Sequence, residues 1–115
     1  MQLKSLTTLI IKALEELKGL DIVTINVKNL TTVTDAMVIC TGTSNRHVKS
    51  LADNVVQKMK AKKIQPLGVE GAKDAEWILI DLGDVIVHVM QQRARDFYGL
   101  EQLWGRKTSS KKRGA

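Results

Sequence analysis

The feature that most constrains the fold is an apolar strand followed directly by a strongly amphipathic helix, over residues 36–63. The stretch Ala36–Thr41 is almost entirely apolar, which predicts a central strand covered on both faces. The segment 45–63 has apolar side chains at helical spacing on one face and charged side chains on the rest, which is typical of a helix packed on a sheet. The apolar positions are Val48, Leu51, Ala52, Val55, Val56 and Met59. A strand, a tight turn and a helix in this order predict an α/β fold.

Helices are also predicted near both ends of the chain. Residues 3–18 carry apolar side chains at helical spacing, and Gly19 is a typical helix stop. A short closing helix is predicted from the three- and four-residue spacing of Phe97, Leu100, Leu103 and Trp104. Residues 105–115 are rich in Lys, Arg, Ser and Gly, which predicts a disordered basic tail. Residues 1–104 are then a single domain, because a chain of this length supports one core.

Four further segments predict the remaining four strands. The alternation of apolar and polar residues over Asp21–Val27 is typical of a half-buried strand. Pro66–Glu70 predicts a short edge strand, because proline at its start removes a backbone donor. Glu76–Leu82 and Asp84–Met90 predict an antiparallel hairpin with Gly83 in its turn. We therefore expect a mixed five-stranded sheet packed with helices, in which the helical connection allows a parallel pair.

The net charge of +6 would suggest a general RNA-binding module, but its distribution along the chain weakens that reading. Five of the 18 Lys and Arg residues lie within residues 105–115, which contain no acid. The rest of the chain has 13 basic and 12 acidic residues, a net charge of about +1. Basic clusters also do not flank the aromatic residues, with the exception of Trp104. The body of the protein is therefore not expected to be an RNA-binding module.

The sequence predicts a cytoplasmic protein without a membrane anchor. No apolar run approaches the roughly 18 residues that a membrane span needs. The first residues, Met1–Lys4, begin neither a long apolar segment nor a small-residue cleavage site, so a secretory signal is not expected. The single cysteine, Cys40, cannot form an internal disulfide, which fits a reducing compartment.

The turn after the central strand is the first candidate site. A strand that runs into Gly42, Thr43 and Ser44 and then a helix resembles an anion site, because free N–H groups and the helix dipole favour phosphate. Arg46 and His47 lie in the first turn of that helix. The sequence matches neither a phosphate-binding loop of NTPases nor a dinucleotide-binding pattern. A tight turn with an N-cap is therefore the favoured interpretation.

A nucleotide-dependent enzyme is the alternative function, with Asp81 and Asp84 as candidate ligands of Mg²⁺. These acids flank a hairpin turn instead of sharing one strand face, and turn chemistry explains both. His47 and His88 lack a second ligand at metal-binding spacing, and His88 is expected to be partly buried and hydrogen-bonded. Cys40 lies in the apolar strand as a small hydrophobic residue. We therefore predict no catalytic residue, no metal site and no cofactor.

Residues 70–84 form the more informative constellation. They hold five acidic residues against Lys73, a local charge of −4. Interleaved with these acids is Trp77, and a tryptophan beside acids suits a protein-binding hot spot. Packing of Trp77 in the core is the alternative. An acidic surface repels phosphates and favours a basic protein as partner.

Three segments resemble those of the ribosomal silencing factor (Iojap) family. The first is Ala36–Val48, in which the strand runs into the letters GTSNRHV. The second begins at Glu70-Gly71 and continues through WILID and GDVIVHV to Val89. The third is FYGLEQLW at Phe97–Trp104. The likeness covers about residues 3–104 without a large gap.

The resemblance implies a fold like that of nucleotidyltransferases, without a working active site, and no enzymatic activity. It also implies binding to the large ribosomal subunit through ribosomal protein L-fourteen. Bound there, family members sterically block the small subunit and repress translation under nutrient limitation. The partner-binding residues that carry over are Trp77, Leu82 and Tyr98, with the acidic neighbours Glu70, Asp81 and Asp84.

Two features depart from the family pattern. Gly99 stands where relatives usually carry an acid, and a glycine inside a helix costs about 1 kcal/mol. The basic tail lies outside the shared segments, so that contact with ribosomal RNA and a contribution to solubility both stay open for it. The oligomeric state also stays open, including a homodimer off the ribosome.

Overall fold

The structure, a computed structural model, describes residues 2–104. The predicted tail at 105–115 lies outside these residues, so its disorder and the domain boundary at 104 stay predictions. In chain order the elements are α1 (Leu3–Glu16), β1 (Leu20–Asn26), β2 (Ala36–Gly42), α2 (Asn45–Ala61), β3 (Gly68–Glu70), β4 (Trp77–Asp81), β5 (Val85–Gln91), α3 (Gln92–Tyr98) and α4 (Leu100–Trp104). None of the described helices is long and apolar enough to cross a membrane.

The predicted mixed five-stranded sheet is confirmed. Its strand order is β1-β2-β5-β4-β3, with β2 and β5 parallel and every other pair antiparallel. The chain leaves β2 through α2, builds β3 and β4 at the far edge, and returns to the centre with β5. This order places β2 and β5 side by side in the middle of the sheet. Both strands are apolar on their two faces, and a strand has both faces covered only in the middle of the sheet.

Helices α1 and α2 cover one face of the sheet. The apolar stripe of α2 packs there against alternate residues of the central strands, and Val38, Val87 and Leu51 are fully buried. Asn54 of α2 joins the two helices, since its amide donates to Ala13 O at 2.8 Å and to the Glu16 carboxylate at 3.0 Å. The two helices therefore form one layer over the main core.

The opposite face of the sheet is covered only in part. A smaller core lies there, formed by Ile25, Val27, Met37, Ile39, Met90 and Ala94, with Trp77 and Leu100 packed against it. Strand register places Glu70, Leu79, His88, Ile39 and Val23 in one row across this face. Helix α3 follows β5 without a loop and lies on this side, beside β5 and β2.

The prediction of one closing helix around Phe97 is wrong. Helix α3 already begins at Gln92 and ends at Tyr98, because Gly99 takes the left-handed conformation (φ 56°) and starts a second short helix, α4. Phe97 is 80 % exposed and does not belong to the buried face. The cost expected for a glycine inside a helix does not apply, since the C-terminal cap is the position that glycine favours. Its N–H donates to Arg95 O at 3.0 Å.

Candidate functional site

Three aromatic residues form a continuous surface at the end of the sheet. The rings of Trp77 and Tyr98 have centroids 4.5 Å apart, and the ring of Phe97 meets that of Tyr98 edge-on at 5.0 Å. Trp77 is half-buried, while Tyr98 is 53 % exposed. Strand β5 separates Trp77 from Phe97 and Tyr98 in the sequence. Helix α3 follows β5 directly and brings the three rings together. Exposed aromatic groups of this kind are typical of binding surfaces.

Trp77 is held in place by a buried histidine. Its indole N–H donates to Nδ1 of His88 at 3.0 Å, and the two rings lie 5.8 Å apart. His88 is 4 % exposed, and this burial lowers its pKa from 6.5 to about 4. The ring is therefore neutral near pH 7, as its role of acceptor for Trp77 requires. The expected hydrogen bond of His88 is confirmed, and the ring is more deeply buried than the sequence predicted.

We expect the protein to lose stability in mild acid because of His88. The unfolded chain takes up this proton near pH 6.5 and the folded chain only near pH 4, so the unfolded state binds more protons in between. The loss of stability is almost absent above about pH 6.5, grows as the pH drops towards 4, and should reach about 2 kcal/mol at pH 5. Urea unfolding at pH 7.5 and pH 5 measures it.

The matched control for this pH effect is His88→Gln, which removes the titrating ring and keeps a polar side chain. Its free energy of unfolding should change less than that of the natural protein between the two pH values. Equal changes in both proteins would show that other groups cause the acid sensitivity.

The acidic residues near Trp77 differ in their position on the sheet, their exposure and their hydrogen bonds. Glu70 and Asp81 share the sheet face of Trp77, and Asp84 is exposed in the β4–β5 turn. Asp81 Oδ1 accepts the N–H of Gly83 at 2.9 Å, which is turn chemistry, as predicted.

Leu82 differs from the other predicted partner-binding residues, because it is 8 % exposed and packs in the main core. Its side chain supports the turn and offers little surface to a partner.

The turn that resembled an anion site is occupied by its own side chains. Ser44 accepts the N–H of His47 at 3.1 Å, which confirms the predicted N-cap. The His47 ring accepts the N–H of Thr43 at Nδ1 (2.8 Å) and lies 2.8 Å from Leu17 O at Nε2. It thereby fastens the end of α1 to the start of α2. The residues in this turn that resemble the family therefore have a structural role.

The neighbouring Asn45 continues this set of bonds. Its amide donates to Asp74 O at 3.0 Å, and its oxygen accepts from the side chain of Gln91. Asn45 thus ties the loop before β4 to the end of β5. These bonds hold the segment from which Trp77 emerges.

Arg95 is the important residue that the sequence analysis missed. It is 7 % exposed, and its guanidinium contacts three elements. Nη1 donates to Asp21 O and to Thr41 Oγ1, both at 2.7 Å, and Nε donates to Glu101 at 2.7 Å. These bonds join α3, which carries Tyr98, to β1, β2 and α4. The only sequence signal is an arginine one turn before the exposed aromatic pair.

The described residues show no cluster of three or more His, Cys, Asp or Glu side chains that would hold a metal ion. Cys40 is fully buried, and this burial raises its pKa to about 11. The thiol therefore stays protonated and behaves as a small apolar group, as predicted.

Comparison with known proteins agrees with the family suggested by the sequence. A family model described as "Ribosomal silencing factor during starvation" matches residues 1–114. A Haemophilus influenzae protein named Ribosomal silencing factor RsfS is 45 % identical over 87 % of this chain and 98 % of its own length. A mouse protein named Mitochondrial assembly of ribosomal large subunit protein 1 is 30 % identical over 84 % of this chain and 43 % of its own length.

A Chromobacterium violaceum relative supports the same assignment in sequence and in structure. It carries the name Ribosomal silencing factor RsfS and is 44 % identical over 91 % of this chain and 86 % of its own length. A crystal structure of a protein from that organism, also 44 % identical, superposes with a TM-score of 0.90 over 91 % of this chain and 88 % of the crystallised one. The chain therefore belongs to the ribosomal silencing factor family.

Proposed function

We propose that this protein binds the large ribosomal subunit in the cytoplasm through ribosomal protein L-fourteen and blocks joining of the small subunit. Translation would then be repressed under nutrient limitation. The contact between Trp77 and Tyr98 is the observation that carries the proposal. It creates an exposed aromatic surface on the sheet face that α1 and α2 leave uncovered. The names of the relatives support a ribosomal role, and the mouse name supports the large subunit.

The chemistry of this surface suits a basic protein. We call it the aromatic–acidic face and define it by Trp77, Phe97, Tyr98, Glu70, Asp81 and Asp84. Its half-buried tryptophan is anchored by His88, so the ring loses little freedom when a partner covers it. Carboxylates at the rim attract a basic partner and repel RNA phosphates. Leu82 is left out of the contact because it is buried.

The proposed action is steric and needs no reaction at this face. Asp81 uses a carboxylate oxygen in its own turn, and the described acids nearby include no third partner that would complete a metal site. A protein that occupies the joining surface of one subunit excludes the other by volume alone. We therefore propose that the protein is a binding factor and not an enzyme.

The test is sedimentation of the protein with purified large and small subunits, together with the yield of joined ribosomes. The natural protein should sediment with large subunits and lower that yield. Trp77→Ala and Tyr98→Ala should each weaken binding by about 2 kcal/mol, or roughly 30-fold, as loss of an aromatic hot spot does. Asp84→Lys should also weaken it, because it places like charge against a basic partner.

The matched control is Leu17→Ala, which removes an exposed apolar side chain directly after α1, the helix that covers the opposite face of the sheet. It should bind normally. Thermal melts separate lost binding from lost folding, and Tyr98→Ala is the cleaner variant because its ring is more exposed. Normal binding by folded Trp77→Ala and Tyr98→Ala proteins, or binding to small subunits instead, would contradict the proposal.

A further inference from the structure

The described chain is strongly polarised in charge. Residues 3–18 and 45–63, which we call the basic helical layer, carry nine Lys and Arg against three Asp and Glu, a net charge of +6. The rest of residues 2–104 carries four Lys and Arg against nine Asp and Glu, a net charge of −5. The near-neutral total expected from the sequence therefore hides two opposite surfaces. The layer covers the sheet face opposite Trp77.

The positive charge of the layer is exposed and largely uncompensated. All nine basic side chains are exposed. Lys49 pairs with Asp53 at 3.3 Å and Lys58 with Glu16 at 3.2 Å, and the other seven make no ion pair with a described residue. Seven cations thus face solvent on one side of a small domain. Such a surface attracts polyanions.

Helix stability does not explain this pattern. The helix dipole favours cations only in the last turn, which covers Lys58 and Lys60 of α2. Arg46 lies in the first turn of α2, where the dipole disfavours a cation, and neither helix has an acid in its first turn. Lys4 lies likewise in the first turn of α1. These cations lower the stability of the two helices, and residues that are kept for binding often have this effect.

The layer fits a phosphate backbone better than a lipid surface. The apolar stripes of both helices are buried in the core, with Ile10, Leu14 and Leu51 at zero exposure. Exposed large apolar side chains within the two segments are limited to Leu17. A helix that binds a membrane needs a free apolar face to insert, and these helices have none. The described aromatic residues lie on the other side, so base stacking is not available either.

We propose that the basic helical layer binds the phosphate backbone of structured RNA while the aromatic–acidic face binds protein. The proposal rests on the proposed function, since a factor docked on a ribosomal subunit is surrounded by RNA. Lysines without stacking partners contact phosphates without regard to base sequence, so the binding is salt-dependent and sequence-independent. One side of the molecule then recognises a specific protein, and the other adds affinity from RNA.

The experiment measures binding of the full chain to a short RNA duplex of arbitrary sequence at several salt concentrations. The test variant is Lys60→Glu with Lys62→Glu, in the exposed cluster at the end of α2. The matched control is Lys28→Glu with Arg93→Glu, which changes the net charge equally but lies outside the layer. The test variant should bind at least about tenfold more weakly than the control, with a salt slope lower by about 1 for each lost phosphate contact.

Three results would overturn the proposal. Equal weakening in both variants would show that only net charge matters, and no weakening in the test variant would assign RNA binding to residues 105–115. Binding to vesicles of anionic lipid, with loss in the test variant and no binding to the duplex, would assign the layer to membranes.

The outcome is separable from that of the proposed function. Tyr98→Ala should bind the duplex normally while it loses the large subunit. A natural protein that binds the duplex through the layer but does not sediment with large subunits would refute the proposed function alone. The RNA proposal alone would be refuted by two results together. The Lys60 and Lys62 variant would still sediment with large subunits, and it would bind the duplex as well as the control variant does.

Discussion

Replacement of Arg95 by methionine is expected to lower the free energy of unfolding by about 4 kcal/mol, because the change removes three hydrogen bonds at once and each buried acceptor that loses its donor costs about 1–3 kcal/mol. The guanidinium donates to Asp21 O, Thr41 Oγ1 and Glu101 from a nearly buried position. Methionine fills much of the same volume but donates no hydrogen bond. Equilibrium unfolding in urea measures the loss.

The neighbouring arginine provides the control for this prediction. Arg93 lies in the same helix, is largely exposed and pairs at 3.1 Å with Glu76. Arg93→Met should change the free energy of unfolding by no more than about 0.5 kcal/mol, as exposed ion pairs usually do. A similar loss of stability in both variants would show that the loss does not come from the buried hydrogen bonds of Arg95. Arg95→Lys should fall in between, since one ammonium cannot reach three separated acceptors with the same geometry.

The second large effect is expected from Gly71→Ala, at about 4 kcal/mol of lost stability from backbone strain and overpacking together. Gly71 has φ +88°, a conformation that side chains rarely adopt. A Cβ added there would lie 2.0 Å from Trp77 O, so the backbone of β4 would have to move. The variant should therefore also bind large subunits more weakly than its folded fraction predicts, because Trp77 is displaced.

Gly68→Ala is the matched control, since an added Cβ at Gly68 meets no atom within 4 Å and its φ is not positive. Its stability should stay within about 0.5 kcal/mol of the natural protein. Unfolding in urea and subunit sedimentation on both variants complete the comparison. Unchanged stability in Gly71→Ala would mean that the loop before β4 adapts without moving Trp77.

Local sequence patterns predicted most of the fold. The apolar run of β2, the helical spacing of α2 and the hairpin of β4 and β5 all depend on which faces are buried, and side-chain periodicity records that directly. The N-cap at Ser44 and the turn role of Asp81 also follow from neighbours in sequence. The family segments then identified the kind of protein.

The closing helix was predicted poorly because its decisive feature is a single backbone conformation. The spacing of Phe97 and Leu100 fits one helix, but Gly99 adopts positive φ and divides it into two. Leu82 was assigned to a partner surface through the resemblance, although two-residue alternation along β4 places it on the face of Ile78 and Ile80, in the main core. Side-chain periodicity therefore indicates the burial of Leu82, but it does not record the backbone conformation of Gly99.

The sequence by itself determined the local elements, the N-cap, the turn chemistry and the family, because each depends on residues close together in the chain. Only the tertiary structure decided that Trp77 and Tyr98 touch, and that Arg95 is buried against acceptors 6, 54 and 74 residues away. Arginine is usually exposed, so the residue type alone would predict an exposed position for Arg95. The separation of charge into a basic and an acidic side was decided in the same way. Net charge is a sum over the chain, whereas a surface depends on which elements pack on which face of the sheet.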